Sequence, residues 1–217
     1  MDKTTVPSKV KEIKQSFRQM MDGSVAQSMR DKGLNYPLNW GATLPRLKAM
    51  AEELKSSFNV QRSSFTVYDL AIALWKENVR ECKILATLLM PPEEMLPEVA
   101  DIWMEQVTTQ EIAEQLAFNL WQHLPYAPEK AYEWMASEKE YYQLCGFHIL
   151  TRLFMNGHEP NERGINEFLD QALSALQGPF PSVRKAAYHC VQRFAELGLV
   201  YERLAQSALK TVNLDFF

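Results

Sequence analysis

Three stretches decide how this chain folds: Val79–Met90 (VRECKILATLLM), Tyr141–Met155 (YYQLCGFHILTRLFM) and Val183–Leu197 (VRKAAYHCVQRFAEL). Each begins with a polar turn and an apolar or aromatic residue. Each then continues as an apolar ridge recurring at three- and four-residue steps, the spacing that gathers side chains on one face of a helix. Thr109–Leu124 (TQEIAEQLAFNLWQHL) is a looser fourth copy. The copies start roughly 30–40 residues apart, the period of paired-helix repeats that stack side by side. The sequence therefore predicts an all-α chain in which Ile84, Leu85, Phe147 and Val191, inside the ridges, are buried between stacked helices.

The same steps extend outward, through Val10, Ile13, Phe17, Met20 and Met21, and through Leu44, Leu47, Ala51 and Leu54. No stretch alternates long enough for a half-buried strand. Breakers cut the pattern at Gly33 to Gly41, Asn59 to Ser64, Pro91-Pro92 with Pro97, Leu124 to Pro128, Gly157 to Pro160 and Gly178 to Pro181. Proline cannot donate within a helix and disfavours helical geometry in the preceding residue, so these stretches read as inter-helix turns. Thr66, Thr109 and Ser182 read as N-caps of the helices that follow. About ten short helices of the HEAT type, in one domain over residues 1–217, are expected on this period. Successive second helices of such a stack line a concave face.

The chain has 217 residues, 47% hydrophobic, with 23 Lys+Arg against 27 Asp+Glu, a formal net charge of −4. That core content excludes a disordered chain. The acidic total removes the simplest nucleic-acid signature, a strongly basic domain, although a local basic face can coexist with it. Cys82, Cys145 and Cys190 lie far apart in apolar stretches, unlike a disulfide scaffold or a cysteine-rich zinc module. The charged, amphipathic start MDKTTVPSKVKEIKQSF lacks the apolar core of a secretory signal, and no apolar run reaches the ~20 residues that span a bilayer. A cytoplasmic protein is expected.

Few motifs carry chemistry. His148 follows Cys145 by three residues and His189 adjoins Cys190, but His123 and His158 have no supporting spacing, so no metal is expected. The absence of a nucleophile elbow and of a phosphate-cradling glycine loop argues against hydrolase and NTPase chemistry, and no cofactor is implied. Trp75, Trp103, Trp121 and Trp134 fall where indoles pack between repeats, whereas Trp40, in a Pro/Gly turn, could close the first helix pair or cover a groove. Lys76, Arg80 and Lys83 share one helical face. Arg184 and Lys185 open the equivalent helix of the last copy, with Arg152 and Arg193 in matching late positions. Together they form a candidate basic strip for a phosphate backbone. The competing reading is a solvated face with local ion pairs to Glu77 and Glu81.

Gly41–Leu54 (GATLPRLKAMAEEL) followed by Tyr68–Met90 (YDLAIALWKENVRECKILATLLM) resembles the AlkD-like DNA alkylation repair family, HEAT-like-repeat DNA glycosylases. The resemblance runs from about Val10 to Phe194, with further matches at Ile102–Leu120 and Ser182–Leu197. It implies a duplex held in a concave groove and excision of cationic N-alkylated purines, with a carboxylate stabilising the oxocarbenium that base departure leaves behind. The family combines an Asp with Trp residues and an Arg at that site. Where it carries Trp-Asp-x-x-Asp, this chain has Gln110-Glu111-Ile112-Ala113-Glu114, so Glu114 occupies the place of the catalytic Asp. The Arg expected at the next repeat appears as Gln143, and the last-repeat Trp and Arg positions read His189 and Gln192. The resemblance thus implies double-stranded DNA as partner, bound by Lys76, Arg80, Lys83, Arg152, Arg184 and Lys185, with little or no base excision. The alternative is a non-enzymatic helical scaffold for a peptide or protein partner.

Overall fold

The computed structural model describes residues 5–60 and 65–212. Among them it contains twelve α-helices, three short 3₁₀ turns and no strand, only a backbone bridge between Leu38 and Val79. No helix among the described residues is long and apolar enough to cross a membrane. The chain gathers into two compact units, residues 1–100 with 109–120, and residues 101–108 with 121–217.

In the first unit, α1 (Val6–Gln19) packs on α4 (Val67–Trp75), α3 (Leu44–Val60) and α4 pack on α5 (Arg80–Leu89), and α5 packs on α7 (Gln110–Asn119). The short α2 (Gly23–Asp31) precedes the long connection 32–43. Thr66 caps α4 as expected: its hydroxyl accepts from the Asp69 amide at 3.1 Å while the Asp69 carboxylate accepts from the Thr66 amide at 2.8 Å. Such reciprocal capping satisfies two otherwise orphaned donors. Thr109 caps α7 from one side only, its hydroxyl accepting from the Ile112 amide at 3.4 Å. Trp40 closes the first helices, buried against Phe17 at a ring separation of 5.7 Å. Gly41 has φ of +77°, and a Cβ there would stand 2.1 Å from the Asp22 carbonyl oxygen, so this turn admits only glycine.

The second unit pairs α8 (Ala127–Met135) with α9 (Glu140–Met155), α9 with α11 (Pro181–Ala195), and α10 (Glu162–Gln177) with α11, while α12 (Leu199–Ala208) packs on α10 and α11. The remaining helix, α6 (Pro97–Glu105), crosses the boundary between the units in sequence. Gly146 lets α8 and α9 touch: a Cβ there would lie 2.6 Å from the Ala131 carbonyl oxygen and 2.7 Å from Met135. The core of this unit holds Phe154, Phe168 and Phe194 in mutual edge and tilted contact at 4.9–5.5 Å, and Trp121 against Trp134 at 4.6 Å. Ile84, Leu85, Phe147 and Val191 are all buried, as their ridges require.

Three expectations need adjustment. Ser182 is not an N-cap, because α11 begins one residue earlier at Pro181, where proline's missing N–H costs nothing; the Ser182 hydroxyl instead donates to Glu140. Leu124 to Pro128 is only partly a turn, since α8 starts at Ala127 with Pro128 in its first turn. Asn59 and Val60 continue α3 rather than ending it, and 61–64 lie outside the described residues.

Candidate nucleic-acid interface

Arg80 was expected on a basic surface, yet it is 1% exposed. The sequence places it at the first position of α5, where its guanidinium turns inward against α7 and the 32–43 connection. Its Nε and one terminal nitrogen grip both oxygens of Glu111 at 2.8 and 2.6 Å, and the other terminal nitrogen donates to the Ala42 carbonyl at 2.8 Å. A buried guanidinium survives only when its planar fork is matched in this way. Burial alone would lower its pKa, but the Glu111 contact more than offsets that and raises it. Tyr36 completes the cluster, donating to Glu111 at 2.6 Å. Its phenol is pushed up by burial first and by the Glu111 charge second. Glu81, fully buried, accepts from the backbone amides of Trp40 and Ala42. This network pins the 32–43 connection to the first turns of α5 and α7.

Lys83 also turns away from solvent. Its ammonium donates to the Trp75 carbonyl and sits 4.2 Å above the Trp75 ring, and burial brings its pKa down to about 8. Of the three basic residues predicted on one face of this unit, only Lys76, the C-cap of α4, is exposed. Arg80, Lys83 and Lys76 therefore form no strip: the seven-residue spacing spans the end of α4 and the start of α5, so it is not one helical face.

Glu114 lies on the second turn of α7, part-exposed, and accepts a bond from the Gln110 amide at 2.7 Å. Together with Lys32, Leu34, Leu44, Glu111 and Gln115 these two residues line an open concavity of about 370 Å³. Both carboxylates border the concavity, but Glu111 has its two oxygens engaged by Arg80 and Tyr36, whereas Glu114 engages one.

In the second unit the basic residues do come together. Helices α9 and α11 pack side by side, and Ser182 at the start of one bonds Glu140 at the start of the other, which sets them parallel and in register. Helical spacing then puts Tyr141, His148 and Arg152 along α9 beside Lys185, His189 and Gln192 along α11. His148 is held unprotonated down to about pH 4, by burial first and then by the charges of His189 and Arg152, which places these three side chains within electrostatic reach of one another. The His189 ring pairs with the Gln192 amide at 3.1 Å and meets Tyr188 edge-on at 5.6 Å. Arg184, at the helix start, donates to the Gly178 carbonyl, and Lys185 is exposed. Along the axis, Lys185 to Arg193 covers eight residues, about 12 Å at the helical rise. Sequence reading weighed His148 and His189 as metal ligands and placed His189 where the family resemblance calls for Trp, but it did not set them in a strip and did not single out the tyrosines. The strip's signal was the i, i+4, i+7 spacing of Lys185, His189 and Gln192. Among the described residues no three His, Cys, Asp or Glu side chains converge as a metal site would require.

The chain matches the family model of the DNA alkylation repair enzyme over residues 13–190. No curated protein matches it significantly. Among solved structures it is similar to one from a new family of proteins related to the HEAT-like repeat DNA glycosylases with affinity for branched DNA structures. That likeness has a TM-score of 0.78 at 16% identity and covers 93% of this chain and 82% of the other. At that identity the likeness establishes the fold, a HEAT-like helical repeat.

Proposed function

Since the chain belongs to the DNA alkylation repair enzyme family, we propose that it binds DNA through the α9–α11 strip and excises alkylated purines weakly or not at all. The observation that carries the reading is the side-by-side packing of α9 and α11, held at their starts by Ser182 and Glu140, which brings Arg152 of one helix and exposed Lys185 of the other to the same pair of helices. Two cations, Arg152 and Lys185, with neutral His148 as a polar neighbour and tyrosines alongside, suit one phosphate backbone and the unpaired bases beside it. The structural relative's affinity for branched DNA supports junctions or forks as the preferred form. The loss of excision rests on Gln110, Gln143, His189 and Gln192 standing where the family resemblance calls for Trp, Arg, Trp and Arg.

Fluorescence anisotropy with a labelled duplex and a labelled four-way junction tests the proposal. Tighter junction binding, weakened at least about tenfold in the double variant Arg152→Glu/Lys185→Glu, is expected. Affinity unchanged in that variant would overturn the assignment of the strip. A second reading, docking of a protein partner, draws on Leu199 and Val200 of α12, which are 61% and 68% exposed. No measurable DNA affinity at low salt would favour it.

A further inference from the structure

The polarity of one wall of the first unit's concavity follows from a hydrogen-bond relay. Thr87 donates its hydroxyl proton to the Ile84 carbonyl at 2.7 Å, so it can only accept from Asn119, whose amide nitrogen lies 2.9 Å away. The same nitrogen donates to the Gln115 amide oxygen at 3.1 Å. Each partner's role is forced by the one before it, because a hydroxyl carries a single proton and an amide nitrogen only donates. Gln115, 8% exposed, must therefore turn its NH₂ end away from Asn119, and it lines the concavity.

Beside it stands a carboxylate with capacity to spare. Both oxygens of Glu111 are consumed by Arg80 and Tyr36. Glu114 engages only one oxygen, with Gln110. The concavity thus offers a donor from Gln115 next to an acceptor from Glu114, apolar surface from Leu34 and Leu44, and the Lys32 ammonium. Among the nucleobases, guanine alone presents two adjacent N–H donors, N1–H and N2–H, beside an acceptor, O6. A carboxylate accepts the two donors together, and an amide NH₂ suits O6; adenine and cytosine have only one donor group on that edge, and thymine has its donor flanked by two acceptors.

We propose that this concavity binds a guanine base, with Glu114 accepting from N1–H and N2–H and Gln115 donating to O6. The guanine can arrive as a free nucleotide or as an unpaired base in branched DNA. Only the second source rests on the DNA-binding reading above.

Titration of the full chain with GMP, AMP, IMP and CMP, followed by amide chemical shifts, addresses the free base. GMP is expected to bind at least about tenfold tighter than AMP or CMP, and IMP, which lacks the N2 amine, to fall between them. Glu114→Gln should remove the preference, and Gln115→Glu should do so by repelling O6, with both variants retaining the wild-type pattern of shifts elsewhere. Forks carrying one unpaired guanine or adenine supply the DNA arm. A guanine advantage there as well as with GMP assigns the site to DNA, and an advantage with GMP alone assigns it to the free nucleotide. The Arg152→Glu/Lys185→Glu variant separates the two proposals, since it should lose fork affinity while keeping the GMP preference. Equal affinity for the four nucleotides, or a guanine preference that survives Glu114→Gln, overturns the inference.

Discussion

A single residue, Arg80, shows why charge in a sequence is ambiguous. Its guanidinium is neutralised within the core by Glu111 and bonded to Ala42, so its removal leaves two buried carboxylates, Glu81 and Glu111, without their cation. Breaking such a pair from one side costs about 3–5 kcal/mol. Arg80→Ala is therefore expected to lower the urea midpoint sharply or prevent folding, with no information about DNA; an unfolding free energy within about 0.5 kcal/mol of wild type would show that Arg80 does not hold the connection 32–43 in place. His148 supplies a pH-dependent counterpart. Its folded pKa, near 4, lies below the ordinary value of 6.5, so between those values the unfolded chain binds the extra proton. Stability contributed by the neutral ring is present above about pH 6.5 and is lost as pH falls toward 4. Denaturation at pH 7 and 4.5 should show His148→Gln losing less stability on acidification than wild type, by about 2 kcal/mol. Equal losses would mean that the ring titrates normally.

At the level of elements, the ridges in Val79–Met90, Tyr141–Met155 and Val183–Leu197 were legible because burial on a helix writes a 3.6-residue period into the chain. Ile84, Phe147 and Val191 accordingly lie in the core. The caps at Thr66 and Thr109 were legible for the same local reason. What local pattern could not convey was the partner of each polar side chain. Arg80 and Lys76 look alike in sequence, and only the return of α7, about 30 residues later, makes one of them a core residue. The strip on α9 and α11 was half legible, through Arg152 and Lys185, while its histidines depended on two helices meeting in register. Gly146 is the contact that permits helices α8 and α9 to approach, and nothing in its local sequence signals that. Gly146→Ala would raise helix propensity by about 1 kcal/mol in isolation, yet its methyl would meet the Ala131 backbone at 2.6 Å. Overpacking against backbone costs about 1–3 kcal/mol or more, so a net loss of stability is expected; a raised melting temperature would show that α8 can shift to make room.

For the molecule as a whole, the consequence of the altered family positions is chemical. Departure of an alkylated purine leaves positive charge on the sugar, and a carboxylate accelerates that step only if its oxygen lies where the charge develops. On the family resemblance Glu114 stands where an Asp is expected, one methylene longer, and the expected indole and guanidinium positions read Gln110 and Gln143; in the structure Glu114 is tied to Gln110 and lines the concavity. A misplacement of about 1 Å already costs on the order of a hundredfold, and each missing contact of about 1.4 kcal/mol removes a further factor of ten. The expected outcome is no release of 7-methylguanine or 3-methyladenine from alkylated duplex above the spontaneous rate, even when anisotropy shows the DNA to be fully bound. Glu114→Asp alone should not restore it, because shortening the carboxylate returns neither the indole nor the guanidinium. Release by the wild type that disappears in Glu114→Ala would instead make Glu114 a working carboxylate, and the longer side chain would then have to reach the sugar that the family's Asp reaches from one carbon nearer the helix.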